Sequence, residues 1–424
     1  MFSKKKALPL LITALALTGC SSMGKGIAEA IMEKQKQEDT RMCQVEGDKF
    51  SGIETSLNRQ DGQLKVLMVH GVGDHTPGYS TEFLEKLAKE MGLTAKSRHN
   101  KNISLTLVEN EDERLGNLRI TRLQDAEKTK EMLFYELTWS EITEPEKALL
   151  KFDTSGDYSF RRTEINGMMK AFANDTGPDP IIYLGKSREI ILRSFAQSFC
   201  WMVKGEWDKL PDEGNHACSG FSSNIKNILH DDYVVVSHSL GSRISIDGMQ
   251  FIADLLANPE KRPAKAAKEK HLNEAVKALQ SKHIPLFMLS NQLPMLQLGR
   301  ELPEVTGQYA DYCLPSGKNY AKRMASKTSI IAFSDPNDLL SYAIPPRFEE
   351  KYLDSRLCTD VTNVTINIAY ITDLFGIGKV ANPLDAHVGY DTDERVVALI
   401  AKGIGHHHTA PIINERCSWV ELTD

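Results

Sequence analysis

Six short stretches of this chain are rich in apolar residues, KVLMVHG from Lys65 to Gly71 most clearly, with LFYELTW from Leu133 to Trp139, YVVVSH from Tyr233, HIPLFMLSN from His283, TSIIAFSD from Thr328 and VTNVTINIAY from Val361 repeating the pattern. A strand with one wet face alternates apolar and polar residues, whereas a strand covered on both faces does not. These runs therefore predict strands buried between two layers. Helix-like segments lie between several of them, among them Ser242 to Ala257, where apolar residues recur at three- and four-residue intervals. Strands alternating with helices predict an α/β fold with a mostly parallel central sheet flanked by helices. Such sheets carry their chemistry in the loops beyond the carboxyl ends of the strands. At 424 residues, 41 % hydrophobic and 25 % charged, the chain has enough material for one large or two modest domains. A net charge of −6 without a long basic block argues against nucleic acid as a partner.

The amino terminus, MFSKKKALPLLITALALTGC, has a basic start at Lys4, Lys5 and Lys6 and an apolar run from Ala7 to Leu17. That run is too short to span a bilayer comfortably and reads as an export signal. Leu17-Thr18-Gly19-Cys20 resembles the lipobox of bacterial lipoproteins, in which the cysteine is lipidated and becomes the new amino terminus. The resemblance implies a signal peptide over residues 1–19, a lipid anchor at Cys20, and a cell-envelope location. Ser21 after the cysteine implies the outer membrane. Residues 20–63 are expected to be a tether leading into the fold, and 64–424 the main domain. The other six cysteines, Cys43, Cys200, Cys218, Cys313, Cys358 and Cys417, are even in number. An exported chain meets an oxidising compartment, so up to three disulfides are expected, with all 15 pairings open.

The most informative stretch is VVVSHSLGSR, Val234 to Arg243, which delivers a serine to a turn between a strand and a helix. Ser237 and Gly241, two residues to either side of Ser239, are small, as a sharp strand-to-helix turn requires. The S-H-S-L-G stretch resembles the nucleophile elbow of the α/β-hydrolase superfamily, whose usual form is G-x-S-x-G; Ser237 stands in place of the first glycine. An upstream loop, His70-Gly71-Val72-Gly73, resembles the superfamily's oxyanion loop. The resemblance implies Ser239 as nucleophile and the backbone amides of Val72 and Leu240 as oxyanion-hole donors.

Two further residues follow late strands in the superfamily's Ser…Asp…His order. In IIAFSDPNDLLSY, Asp338 is the expected triad acid, favoured over Asp335, which precedes a proline and suits a turn. In NPLDAHVGYDTDERVVALIAKG, His387 is the expected base, ahead of a helix whose Val396, Val397, Leu399 and Ile400 would cover the sheet. The implied activity is that of a serine esterase or lipase-like hydrolase acting on a small-molecule or lipid ester, with no metal and no cofactor. An acyltransferase on the same residues, or a non-enzymatic binding lipoprotein on the same fold, are the competing readings.

About 170 residues separate His70 from Ser239, roughly twice what short loops and elements require. A large helical insertion over about residues 95–215 is expected, and a possible cap. Within it, Ile191, Phe195, Phe199 and Met202 form one stripe, which fits either a lid or a core helix. Asp153 to Pro180, polar and containing SGD and TGPDP, reads as a mobile rim. His406-His407-His408 lacks partners at ligand spacing, and no metal role is assigned to it. The basic stretch from Lys261 to His283 reads as a solvated helix, Asp74 as a brace for its turn, and His238 as structural.

Overall fold

The apolar runs lie side by side at the centre of one sheet in the computed structural model, which describes residues 39–58, 62–95, 100–155, 162–220, 225–262, 271–373 and 379–420. The strands are β1 (Cys43–Glu46), β2 (Leu64–Val69), β3 (Thr94–Ala95), β4 (Lys101–Thr106), β5 (Arg114–Gln124), β6 (Glu131–Thr138), β7 (Glu213–His216), β8 (Asp232–His238), β9 (His283–Leu289), β10 (Lys327–Ser334), β11 (Thr359–Ile366), β12 (Ile371–Asp373), β13 (Lys379–Ala381) and β14 (Cys417–Val420). Their order is β14-β1-β11-β10-β9-β8-β2-β6-β5-β4-β7, with β3 on β5 and with β12 and β13 forming a separate pair. From β11 to β6 all neighbours are parallel. Antiparallel pairing enters only at the margins, where β5 meets β6 and β1 meets β11. The sheet is thus mixed but mostly parallel.

The helices that cover it include α1 (Thr81–Glu90), α2 (Glu144–Thr154), α3 (Glu164–Thr176), α4 (Pro178–Leu184), α5 (Arg188–Lys204), α6 (Leu240–Ala257), α7 (Leu293–Leu296), α8 (Pro383–Val388) and α9 (Glu394–Lys402). Every residue of β2 is buried, as a strand covered on both faces must be. Leu67 and Val69 face a core shared with Phe195 of α5 and Ile244 of α6. Val66 and Met68 face the other layer, with Phe83 of α1 and Val396 and Ile400 of α9. The two side-chain sets alternate along one strand because successive residues of a strand point to opposite faces.

The span expected to be a helical insertion begins as sheet. β4 and β5 extend the sheet past β6, and the helices of this span run from α2 to α5. RLGNLRITRLQ, the sequence of β5, interleaves polar residues such as Asn117 and Thr121 that are nevertheless buried, so it lacks the unbroken apolar run of the central strands. The Ile191–Met202 stripe of α5 is a core feature and not a lid: Ile191, Phe195, Phe199 and Met202 are at most 1 % exposed. The expected polar rim, Asp153 to Pro180, contains α3 where it is described. Residues 43–46, expected to be tether, form β1 of the sheet. The leader and Cys20 lie outside the described residues. Of the basic stretch, the described part forms a helix, Leu272–Gln280, with Ala275 and Leu279 buried. Among the described residues, no helix is long and apolar enough to cross a membrane.

The six cysteines pair as Cys43–Cys417, Cys200–Cys218 and Cys313–Cys358. The first joins β1 to β14 at the margin of the sheet, in register, and closes a loop of 374 residues of sequence separation. A Cys43→Ala/Cys417→Ala variant is expected to lose about 2–4 kcal/mol, because a long closed loop restricts the unfolded chain. A lowered urea midpoint measures it; an unchanged midpoint would show that the marginal strands need no cross-link.

Candidate active site

β8 ends at His238 and α6 begins at Leu240, so Ser239 alone makes the turn. Its backbone sits at φ 53° and ψ −124°, a conformation that persists only where the surroundings impose it. Close crossing of the β2 loop over this turn supplies that imposition. A Cβ on Gly71 would stand 2.7 Å from the Ser239 Cβ, and one on Gly241 would stand 2.5 Å from the Val69 carbonyl oxygen. Only glycine permits either approach. The Ser239 N–H donates to the Leu289 carbonyl at 2.9 Å, and the Ser242 hydroxyl donates to the Ser239 carbonyl at 2.7 Å. Ser237, fully buried, donates its hydroxyl to the Phe287 carbonyl at 3.3 Å.

Two elements beyond the carboxyl ends of neighbouring strands line up with this hydroxyl. His387, on α8, holds Nε2 at 3.1 Å from the Ser239 Oγ. Its Nδ1 lies 3.0 and 3.1 Å from the two oxygens of Asp338, on the loop after β10. An Nδ1–H that donates to a carboxylate leaves Nε2 as the acceptor for the serine proton. Burial pushes the Asp338 carboxyl up, but hydrogen bonds from His387, the Leu340 N–H and Ser290 outweigh it and hold the group below its ordinary value. Asp335 does different work. Its carboxylate accepts the N–H groups of Ile368 at 2.6 Å and Ala369 at 3.1 Å, bracing the chain that leads from β11 toward α8.

Two side chains that sequence reasoning missed touch the same cluster, both from the SNQ that ends HIPLFMLSNQ. The Ser290 hydroxyl donates to Asp338 Oδ2 at 2.7 Å and stands 2.9 Å from His387 Nδ1. Ser290 itself has φ 50°, a second non-glycine residue held at positive φ beside the site. Gln292 Nε2 donates to the Ser239 Oγ at 2.9 Å and is 3 % exposed. The available signal was a run of polar residues between a buried strand and a proline-started helix. His238 has a defined part as well: its Nε2–H donates to the His387 carbonyl at 2.8 Å and fixes the backbone beneath the imidazole. Burial and the neighbouring His387 lower its pKa to about 3.

The loop from His70 to Ser80 is pinned by buried polar side chains. His70 stacks on Trp139 with ring centroids 4.7 Å apart, and its Nε2 accepts the Trp139 N–H at 3.1 Å. Its Nδ1–H donates to the Gly71 carbonyl at 2.8 Å, so the ring is neutral; burial holds its pKa well below the usual value. Glu136 of β6 accepts the N–H groups of Gly78 and Ser80. Lys147 of α2, almost fully buried, pairs with Asp74 at 2.9 Å and Asp179 at 3.0 Å, and Asp179 in turn accepts the Gly73 N–H at 2.7 Å. Asp74 thus braces its turn. Val72 follows Gly71 on this loop, its carbonyl held by His75 Nε2 at 3.2 Å. Leu240 is the first residue of α6, where an N–H has no acceptor within the helix. Leu240 directly follows Ser239, and Gly71, the residue before Val72, is the one packed against the Ser239 Cβ.

Among the described residues, no three His, Cys, Asp or Glu side chains gather to hold a metal ion; His406, His407 and His408 are exposed. Compared with known proteins, the chain matches no family model, no curated protein and no solved structure.

Two outcomes test this geometry. Asp335→Ala is expected to cost about 1–3 kcal/mol by orphaning two buried amides, read from a urea midpoint. A second test uses pH: His238 and His70 stay neutral in the fold, while the unfolded chain takes up these protons below its ordinary value of 6.5. Stability therefore falls as pH drops from 6.5 toward about 3. His238→Gln keeps a donor but does not titrate, and its plot of stability against pH should be shallower by up to about one proton. An identical slope would mean that His238 is charged in the fold.

Proposed function

We propose that this chain is a serine hydrolase of the α/β-hydrolase type, cleaving a carboxylic ester through an acyl-enzyme on Ser239 and tethered to the bacterial envelope through Cys20. The observation that carries the reading is the hydrogen-bonded line from Ser239 through His387 to Asp338, assembled at a backbone turn held at positive φ. His387 Nε2 takes the Ser239 proton as Oγ attacks the ester carbonyl carbon. The carbonyl oxygen gains negative charge, for which the N–H groups of Leu240 and Val72 are the donors. Collapse breaks the bond to the alkoxy oxygen, which leaves with the proton from His387. A water then gives its proton to His387, attacks the acyl carbon, and frees the acid as Ser239 recovers its proton.

Asp338 stabilises the imidazolium that forms twice in this cycle, and Ser290 orients Asp338 by occupying its second oxygen. Gln292 reaches Oγ itself. Its amide donates to Oγ at 2.9 Å, a further N–H group beside the reacting hydroxyl.

Fluorophosphonate labelling of wild type and Ser239→Ala, followed by hydrolysis of soluble esters of graded chain length, tests the proposal. Labelling is expected to vanish in the alanine variant; its persistence would move the nucleophile elsewhere. Gln292→Ala is expected to lower kcat by about 10²-fold or more if its donor acts in the transition state, with KM little changed. Ser290→Ala should cost about tenfold, since it leaves the His387–Asp338 contact in place. Acyl transfer to an added alcohol in preference to water would convert the reading to an acyltransferase.

A further inference from the structure

α3 contains no buried residue. Ile165, Met168, Met169 and Phe172 follow the i, i+3, i+4, i+7 spacing of one helix face, and each is 43–49 % exposed. A helix of 13 residues gains little stability alone in water, so an apolar stripe of this kind is a surface made to be covered. The stripe adjoins the site. Asp175, near the end of α3, accepts the Asp74 N–H at 3.2 Å, and a Cβ on Gly73 would stand 3.3 Å from its carboxylate. Two more large apolar side chains stand in water next to the reacting groups: Leu339, 72 % exposed, follows Asp338, and Val388, 48 % exposed, follows His387.

The path of the amino terminus identifies the occupant. β1 runs antiparallel to β11 and pairs Cys43 with Ile366, so the described chain starts at the carboxyl ends of the parallel strands, where Ser239, Asp338 and His387 stand. Arg41 secures that start by donating to the Ile368 carbonyl at 2.7 Å and the Tyr370 hydroxyl at 3.1 Å, and by pairing with Asp393 at 3.3 Å. His387 lies between Tyr370 and Asp393 in sequence. Only 18 residues, Ser21 to Glu38, separate the lipobox cysteine from Asp39. Fully extended, they reach on the order of 65 Å. An anchor at Cys20 therefore holds the bilayer within that reach of the end where the site lies.

We infer that the α3 stripe, with Leu339 and Val388, forms a surface that docks on the anchoring membrane, so that the end of the sheet that carries the site faces acyl esters in that bilayer. Acidic and basic residues are mixed on α3, with Glu164 and Asp175 against Lys170, so docking rests on apolar burial and not on attraction to anionic headgroups. The choice of substrate class rests on the hydrolase reading; the docking does not.

The full lipidated chain is reconstituted in vesicles of bromine-labelled phosphatidylcholine, as Phe172→Trp and, separately, as Leu229→Trp. Leu229 is 52 % exposed on the helix Ile225–His230 that precedes β8, at the opposite end of the strands. The added emission of Phe172→Trp is expected to be quenched and that of Leu229→Trp to be spared. Equal quenching of the two, or none at residue 172, overturns the docking whatever the catalytic outcome. Self-association through the stripe, seen as a dimer by sedimentation that the combined Ile165→Ser, Met168→Ser, Met169→Ser and Phe172→Ser changes abolish, would assign it to a second copy instead. The same fourfold variant tests the substrate class: the ratio of phosphatidylcholine hydrolysis to soluble-ester hydrolysis should fall about tenfold. An unchanged ratio overturns the substrate assignment. Absence of soluble-ester turnover and of Ser239 labelling in wild type would instead remove the hydrolase reading and leave the docking result standing.

Discussion

The crossing of two backbones at Ser239 is the constraint on which the candidate site depends. The end of β2 passes so close to the β8–α6 turn that neither Gly71 nor Gly241 has room for a side chain. This contact is possible because β2 and β8 are parallel neighbours, in register from Leu64 and Asp232 to Val69 and Ser237. Both strands end at the same level, and both loops leave over the same rim. The strained conformation of Ser239 is therefore a property of the sheet as well as of the turn. A folded core of this size can hold one residue at a cost of order 1–3 kcal/mol because many other contacts fix its surroundings.

Around that crossing the chain buries several polar groups whose partners hold the loop. His70 and Trp139 lock one arm of the loop, Glu136 the other, and Lys147 with Asp179 fastens the outer helices to Gly73. Such networks are costly when half made, because a buried charge or amide without a partner forfeits its hydration. Here His70, Glu136, Lys147 and Asp179 each find a partner, which holds the loop in one arrangement. Preorganised donors matter for acyl chemistry because they need not reorient as charge develops. The span between His70 and Ser239, longer than a minimal core requires, thus widens the sheet through β4 and β5, adds the buried helix α5, and braces the loop through α2 and α4.

The parts legible in the sequence were those with local signatures. Central strands announced themselves by unbroken apolar runs, and Ser239 by small neighbours at a strand-to-helix junction. Other parts had no such mark. β5 hid because its buried Asn117 and Thr121 look like surface residues until the neighbouring strands are known. Ser290 and Gln292 looked like any polar strand end; their partners stand 48 to 97 positions away in sequence. α3 was obscured by the turn-forming residues on either side of its four-residue stripe.

The sequence by itself determined the layered α/β character, the even set of cysteines, and a short list of residues suited to nucleophile, acid and base. It could do so because burial on two faces, turn sterics and side-chain chemistry depend on residues close together in the chain. Tertiary structure alone decided which cysteines join, that Asp338 and not Asp335 meets His387, and that the chain enters at the same end as the site. Those outcomes depend on strand order and register, which are set by packing between segments 18 to 374 residues apart and leave no periodic trace in either segment.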